Sequence, residues 1–176
     1  MHHRPDDLIA EAALPPLKES VRILIAKSDR IYAEALSALC KKVFEDAQIT
    51  LITTGKEALV ALQTNESDYG IIGLRFPDCD GVELLMETSQ KRWVDNLIVV
   101  AEKQDRPILP SLRTSRIDAI IDTYSETQTT LRAALRLVSK GQVYVSPTLR
   151  EYLVERHASL TLRQSLTPGE LRVLRL

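Results

Sequence analysis

From residue 21 onward, apolar and polar positions alternate between two rhythms. VRILIA (21–26) is a short apolar run rich in β-branched residues, which predicts a buried strand. Ile31, Ala35, Leu36, Leu39, Cys40 and Val43 then recur at helical spacing, with Asp29 placed to cap the helix they form. QITLITT (48–54) predicts a second strand, ended by Gly55, and KEALVALQ a short helix. YGIIGLR (69–75) and VELLMETSQKR (82–92) are the third strand and helix, and NLIVVA (96–101) is a fourth strand apolar on both faces. Residues 105–115 carry a weaker helical pattern, confined by Pro107 and Pro110 to its later part. RIDAIID (116–122) is a fifth strand, and LRAALRLVSKG (131–141) a helix closed by Gly141 just past its last turn.

Five alternations of strand and helix predict an α/β fold: a five-stranded parallel sheet with helices on both faces, in the flavodoxin-like order 2-1-3-4-5. The ligand crevice of such a sheet lies at the carboxyl ends of strands one and three, here AKSD (26–29) and GLRFPDCDG (73–81). A loop like the second usually presents a carboxylate at the strand tip, and this chain has Gly73 there. Past the last helix, Ser146 as N-cap and Pro147 at the first helical position predict a helix over 146–158. Thr167, Pro168 and Glu170 then form a capping box that opens another helix. The expected organisation is a tail (1–20), a domain (21–141), a helical linker (142–165) and the start of a second helical domain (166–176).

Composition narrows the function classes. Apolar residues are 44% and charged residues 27% of 176, with a net charge of −1, so no global attraction to nucleic acid or membrane operates. Cys40 and Cys79 lie outside any zinc-like cluster and are expected as free thiols in a reducing cytoplasm. No apolar run has the length of a membrane span, and the start lacks a signal-peptide pattern. With no Ser-His-Asp set, P-loop or Gly-rich dinucleotide motif, no enzyme and no cofactor are expected.

Three segments carry a resemblance. DYGIIGLRFPDCDGVELL (68–85) is similar to the D-x-x-x-x-D-L-x-M-P-x-x-D-G-x-E-L-L pattern of response-regulator receiver domains. LRAALRLVSKGQVYVSPTLREYL (131–153) resembles the last receiver helix and linker of the NarL/FixJ subfamily, and LTPGELRVLRL (166–176) the opening of a LuxR-type helix-turn-helix. The resemblance implies a CheY-like fold and phosphoryl transfer to an aspartate at the end of strand three, assisted by magnesium held on carboxylates at the end of strand one. This chain departs at each such position. The acceptor falls on Gly73 and the acidic pair on Lys27 and Ser28. The strand-four hydroxyl falls on Ala101, the strand-five aromatic on Ile120, and the strand-five lysine on Thr123 or Tyr124.

Gly73 has no group to phosphorylate. An ammonium at Lys27 would repel a cation about 4 Å away by several kcal/mol at an effective dielectric near 20, so no metal site is expected. Lys27 is expected either to pair with Asp29, Glu102 or Asp80 or to stand solvated at the strand end. Asp78 is expected to face solvent and Asp80 to shape the loop. The family resemblance implies an atypical response regulator that works without phosphorylation, with the receiver-like domain serving dimerisation and regulation. Ile31 and Ala35 on the first helix, with Ala133 and Leu137 on the last, are the expected face of a homodimer. The sequence stops at Leu176, before any recognition helix, so DNA contact is expected through the missing part of the helix-turn-helix in a longer parent. Two alternatives stand beside this reading. One is a small-molecule sensor using room left by Gly73 and Ala101 and the charge of Lys27. The other is a protein-interaction module without DNA binding.

Overall fold

Parallel pairing organises the chain. The computed structural model describes residues 20–150, so the expectations for the tail, for 151–165 and for the helix-turn-helix opening at 166–176 lie outside the described residues. In order along the chain stand β1 (Arg22–Ala26), α1 (Arg30–Val43), β2 (Gln48–Ile52), α2 (Gly55–Thr64), β3 (Ser67–Gly73), α3 (Gly81–Lys91) and β4 (Val94–Ala101). Two 3-10 turns, Lys103–Asp105 and Leu109–Thr114, precede β5 (Ala119–Asp122), α4 (Gln128–Ser139) and β6 (Tyr144–Val145). The strand order is β2-β1-β3-β4-β5-β6, and every neighbouring pair is parallel.

The predicted order 2-1-3-4-5 holds, with a correction at each end of its last third. The sheet has six strands, not five: Tyr144 and Val145 pair with Ala119 and Ile120, inside the stretch assigned to a helical linker. The weak helix over 105–115 is two 3-10 turns. Pro107 and Pro110 lack the N–H groups an α-helix would use there, so the backbone settles for shorter i to i+3 bonds such as Ser111 N to Ile108 O, 3.0 Å.

Alternate residues of the central strands go to opposite faces. Ile23, Ile25, Ile71, Ile98, Val100 and Ile121 meet α1 and α4. Leu24, Ala26, Ile72, Val99 and Ala101 meet α2, α3 and the second 3-10 turn. Leu149 joins this second layer with no exposed surface, and burying a leucine there is worth about 1.5–3 kcal/mol, enough to fasten the end of β6 to the domain. The helices start where the sequence signals them. Asp29 caps α1 by accepting from Tyr32 N at 3.1 Å, and Asp80 caps α3 by accepting from Val82 N at 2.8 Å. No helix among the described residues is long and apolar enough to cross a membrane.

Candidate functional site

The carboxyl ends of β1, β3, β4 and β5 meet at one edge of the sheet. Pairing sets Ala26 beside Ile72 and Gly73 beside Val100, which brings the residue that follows β1, Lys27, over the end of β3. Lys27 is 3% exposed. Its stem lies across Gly73: a Cβ on Gly73 would come 2.8 Å from Lys27 Cδ and 3.7 Å from Cε. The corner that an aspartate side chain would occupy is therefore filled by the methylenes of Lys27. Its ammonium donates to the Glu102 carboxylate just past β4, the one of the three expected partners that the fold brings within reach. The alternative expectation, a solvated lysine, is corrected: the side chain is buried and its head is hydrogen-bonded to Glu102.

The neighbours of Lys27 are committed elsewhere. Asp29 is the cap of α1, Ser28 is half-buried beside it, and Asp80 is the cap of α3. A divalent cation needs oxygen ligands converging on an open position. An ammonium already hydrogen-bonded to Glu102, with no aspartate at 73, does not fit one. Among the described residues no group of three or more His, Cys, Asp or Glu side chains is placed to hold a metal ion.

The other expected positions are placed as follows. Ala101 is fully buried, and Ile120 is half-buried in the layer under α3. Thr123 N donates to Ala101 O at 3.0 Å and its side chain is half-buried, while Tyr124 is 75% exposed, its ring 5.6 Å from Lys103 Nζ. The room expected around Gly73 and Ala101 is absent from those two residues. It lies further out, as an open cleft of about 340 Å3 walled by Lys27, Tyr32, Glu102, Lys103, Thr123 and Tyr124. Ile31, Ala35 and Ala133 are exposed and Leu137 is half-buried, on two helices that lie side by side.

Two acidic residues do more than sequence reasoning assigned them. Asp78 does not simply face solvent: it accepts from Gly55 N at 2.8 Å and Lys56 N at 3.0 Å, supplying the cap that Thr54 does not give α2. The Lys56 and Gly55 N–H groups hold its carboxyl below the usual carboxylate range. Asp122, the last residue of β5, is 1% exposed and accepts from Arg106, Thr148 and Tyr124 N. Burial pushes its carboxyl up, and hydrogen bonds from Thr148, the Tyr124 N–H and Arg106 more than offset this, so it sits below its ordinary value. The signal available in sequence was a lone aspartate ending an apolar strand, RIDAIID.

No family model and no curated protein matches the chain. Solved structures do. The isolated REC domain of RcsB from Salmonella enterica serovar Typhimurium, in the presence of phosphomimetic BeF3-, is similar with a TM-score of 0.67 at 17% identity, covering 76% of this chain and 99% of that one. The fold is that of a receiver domain. A structure of two RcsB dimers bound to two parallel DNAs gives a TM-score of 0.70 at 20% identity over 89% of this chain and 76% of that one. A LuxR-family two-component response regulator from Aurantimonas sp. SI85-9A1 gives 0.67 at 15% identity, over 79% of this chain and 99% of that one. At such identities the receiver fold is what is shared, and the chemistry rests on this chain's own residues.

Proposed function

We propose that this chain is a response regulator of atypical kind, a transcriptional regulator in its full-length form whose receiver domain works without phosphorylation. The observation that carries the reading is the Lys27 stem lying in the acceptor corner over Gly73, with its charge spent on Glu102. Acetyl phosphate with magnesium, followed by intact mass, tests it. The expected spectrum is unchanged; a phosphoryl adduct mapping to residues 67–85 would overturn the reading.

In this reading the receiver domain serves dimerisation, and DNA recognition belongs to the helix-turn-helix that LTPGELRVLRL resembles. The likeness to dimeric, DNA-bound RcsB supports both parts. Ile31, 82% exposed, and Ala35 on α1 stand beside the exposed Ala133 on the adjacent α4, an apolar face that a second copy would cover. Sedimentation at micromolar concentration is expected to show a dimer, and Ile31→Glu with Ala133→Glu a monomer. A wild-type monomer would refute the dimer.

A second reading is favoured by the cleft beside Lys27. At about 340 Å3 it is within the size range of small-molecule sites, and its walls offer the exposed ammonium of Lys103, the amide of Gln104 and the phenol of Tyr124 beside the carboxylates of Asp29 and Glu102. A ligand seated there would bias Glu102 and Thr123 rather than a phosphate. A thermal-shift screen with small anions separates the two readings.

A further inference from the structure

The end of the described chain is clasped more tightly than a linker requires. After α4 the backbone turns at Gly141, where φ is +73°, and returns along the sheet edge. Tyr144 N then donates to Asp118 O and Ser146 N to Ile120 O, both at 3.0 Å. Ser146 has no exposed surface: its Oγ accepts from Asp122 N at 2.9 Å and donates to Glu126. Tyr144 donates to the same Glu126 oxygen at 2.7 Å, and Thr148 Oγ1 donates to Asp122 Oδ2 at 2.8 Å. Two carboxylates thus take three side-chain hydroxyls from one seven-residue stretch, and Leu149 is buried beneath them.

One of those carboxylates also reaches the crevice. Arg106 Nη2 donates to Asp122 Oδ2 at 3.1 Å. Arg106 follows the 3-10 turn whose cap is Glu102, the partner of Lys27, and whose last residue is Asp105, buried against Arg75 at 2.6 Å. Asp105 also accepts from Glu102 N at 2.8 Å, which ties the two ends of the turn together. A continuous polar path therefore runs from the ammonium over Gly73, through this turn and Arg106, to the hydroxyl of Thr148.

We propose that residues 144–150 form a latch, clasped by Asp122 and Glu126 and held through Arg106, so that displacing the 102–106 turn at the crevice releases the chain where it leaves the domain. The path does not pass through a phosphate, so the inference stands whether or not residue 73 is chemically inert. A carboxylate buried like Asp122 needs its cationic partner to stay charged and oriented. Without Arg106, Asp122 loses its grip on Thr148, and the strand pairing of Tyr144 and Val145 alone is too short to persist.

Hydrogen exchange on the full 176-residue chain, read by mass spectrometry, tests this. Thr148→Val and Arg106→Met are each expected to speed amide exchange across 144–150 by about tenfold or more while β1 and α1 keep their protection, the mark of a local opening. No change in Thr148→Val would overturn the latch. A change confined to 102–106 in Arg106→Met would overturn the coupling. If Arg106→Met loosens β1 and α1 as well, Arg106→Lys decides, since it keeps the charge and loses the planar fork: faster exchange at 144–150 alone supports the coupling, and wild-type exchange there overturns it.

Discussion

Lys27→Ala is expected to lower unfolding free energy by about 2–4 kcal/mol, as large-to-small changes at filled positions do. Lys27→Met is expected to cost less than about 1.5 kcal/mol, because it keeps the stem and removes only the charge. The difference follows from what each variant leaves behind. Alanine empties the space over Gly73 that the methylenes fill. Methionine leaves Glu102 without its ammonium, but that side chain is 31% exposed and still accepts from Gln104 at 2.7 Å, so water can solvate it. Removing one partner of an ion pair is costly when the other charge is left buried and uncompensated, and Glu102 is not left so. Gly73→Ala alone is expected to cost about 1–3 kcal/mol, since its methyl must push Lys27 Cδ from 2.8 Å to contact distance. In the Lys27→Ala background the same methyl enters vacated space, so the two changes should couple by about 1–2 kcal/mol in a double-mutant cycle followed by urea denaturation. Strict additivity, or an alanine as mild as the methionine, would mean that the stem is not what fills the acceptor corner.

How much of this was readable in the sequence depended on how local the cause was. The central strands were legible because parallel strands covered on both faces must be apolar throughout, and IIG in β3 and LIVVA in β4 are. The cap of α1 was legible because Asp29 acts on a residue three positions on. β6 was not, because two residues show no period, and their pairing comes from Asp118 and Ile120 across a helix. Within the site, the resemblance placed Gly73 and Lys27, and Glu102 stood among three candidate partners; only strand register selects it. For Asp122 the sequence offered only an aspartate ending an apolar strand, with nothing local to name its partners. Its burial is tolerated because Arg106 and Thr148, 16 and 26 residues away, supply the compensating donors. Nothing local marks Asp78 as a cap, since the N–H groups it caps are more than twenty positions upstream.

Gly81→Ala is expected to be at least as damaging, at about 3 kcal/mol or more, the upper end of what forcing a methyl into packed structure costs. Gly81 opens α3, and a Cβ there would lie 2.6 Å from the carbonyl carbon and oxygen of Leu74 and 2.9 Å from its Cα. These are backbone atoms one residue past β3, and the Arg75–Asp80 bridge ties the loop between them, so neither side can yield without shifting a strand or a helix. Gly141→Ala is the control. That glycine has open space around it, and its φ of +73° is the only obstacle, worth about 1–2 kcal/mol and partly offset by the stiffer unfolded chain. Thermal and urea unfolding should therefore rank Gly81→Ala well below Gly141→Ala, and the reverse order would show that the contact with Leu74 is relieved cheaply. The contrast bears on why the Asp80-Gly81 pair stands in a loop whose acceptor position is a glycine. Asp80 caps α3 and Gly81 lets the helix touch the strand end, and both tasks belong to packing. That half of the receiver-like motif is required by the fold whatever happens at residue 73, whereas nothing in the packing asks for an aspartate at 73 with Lys27 lying across it.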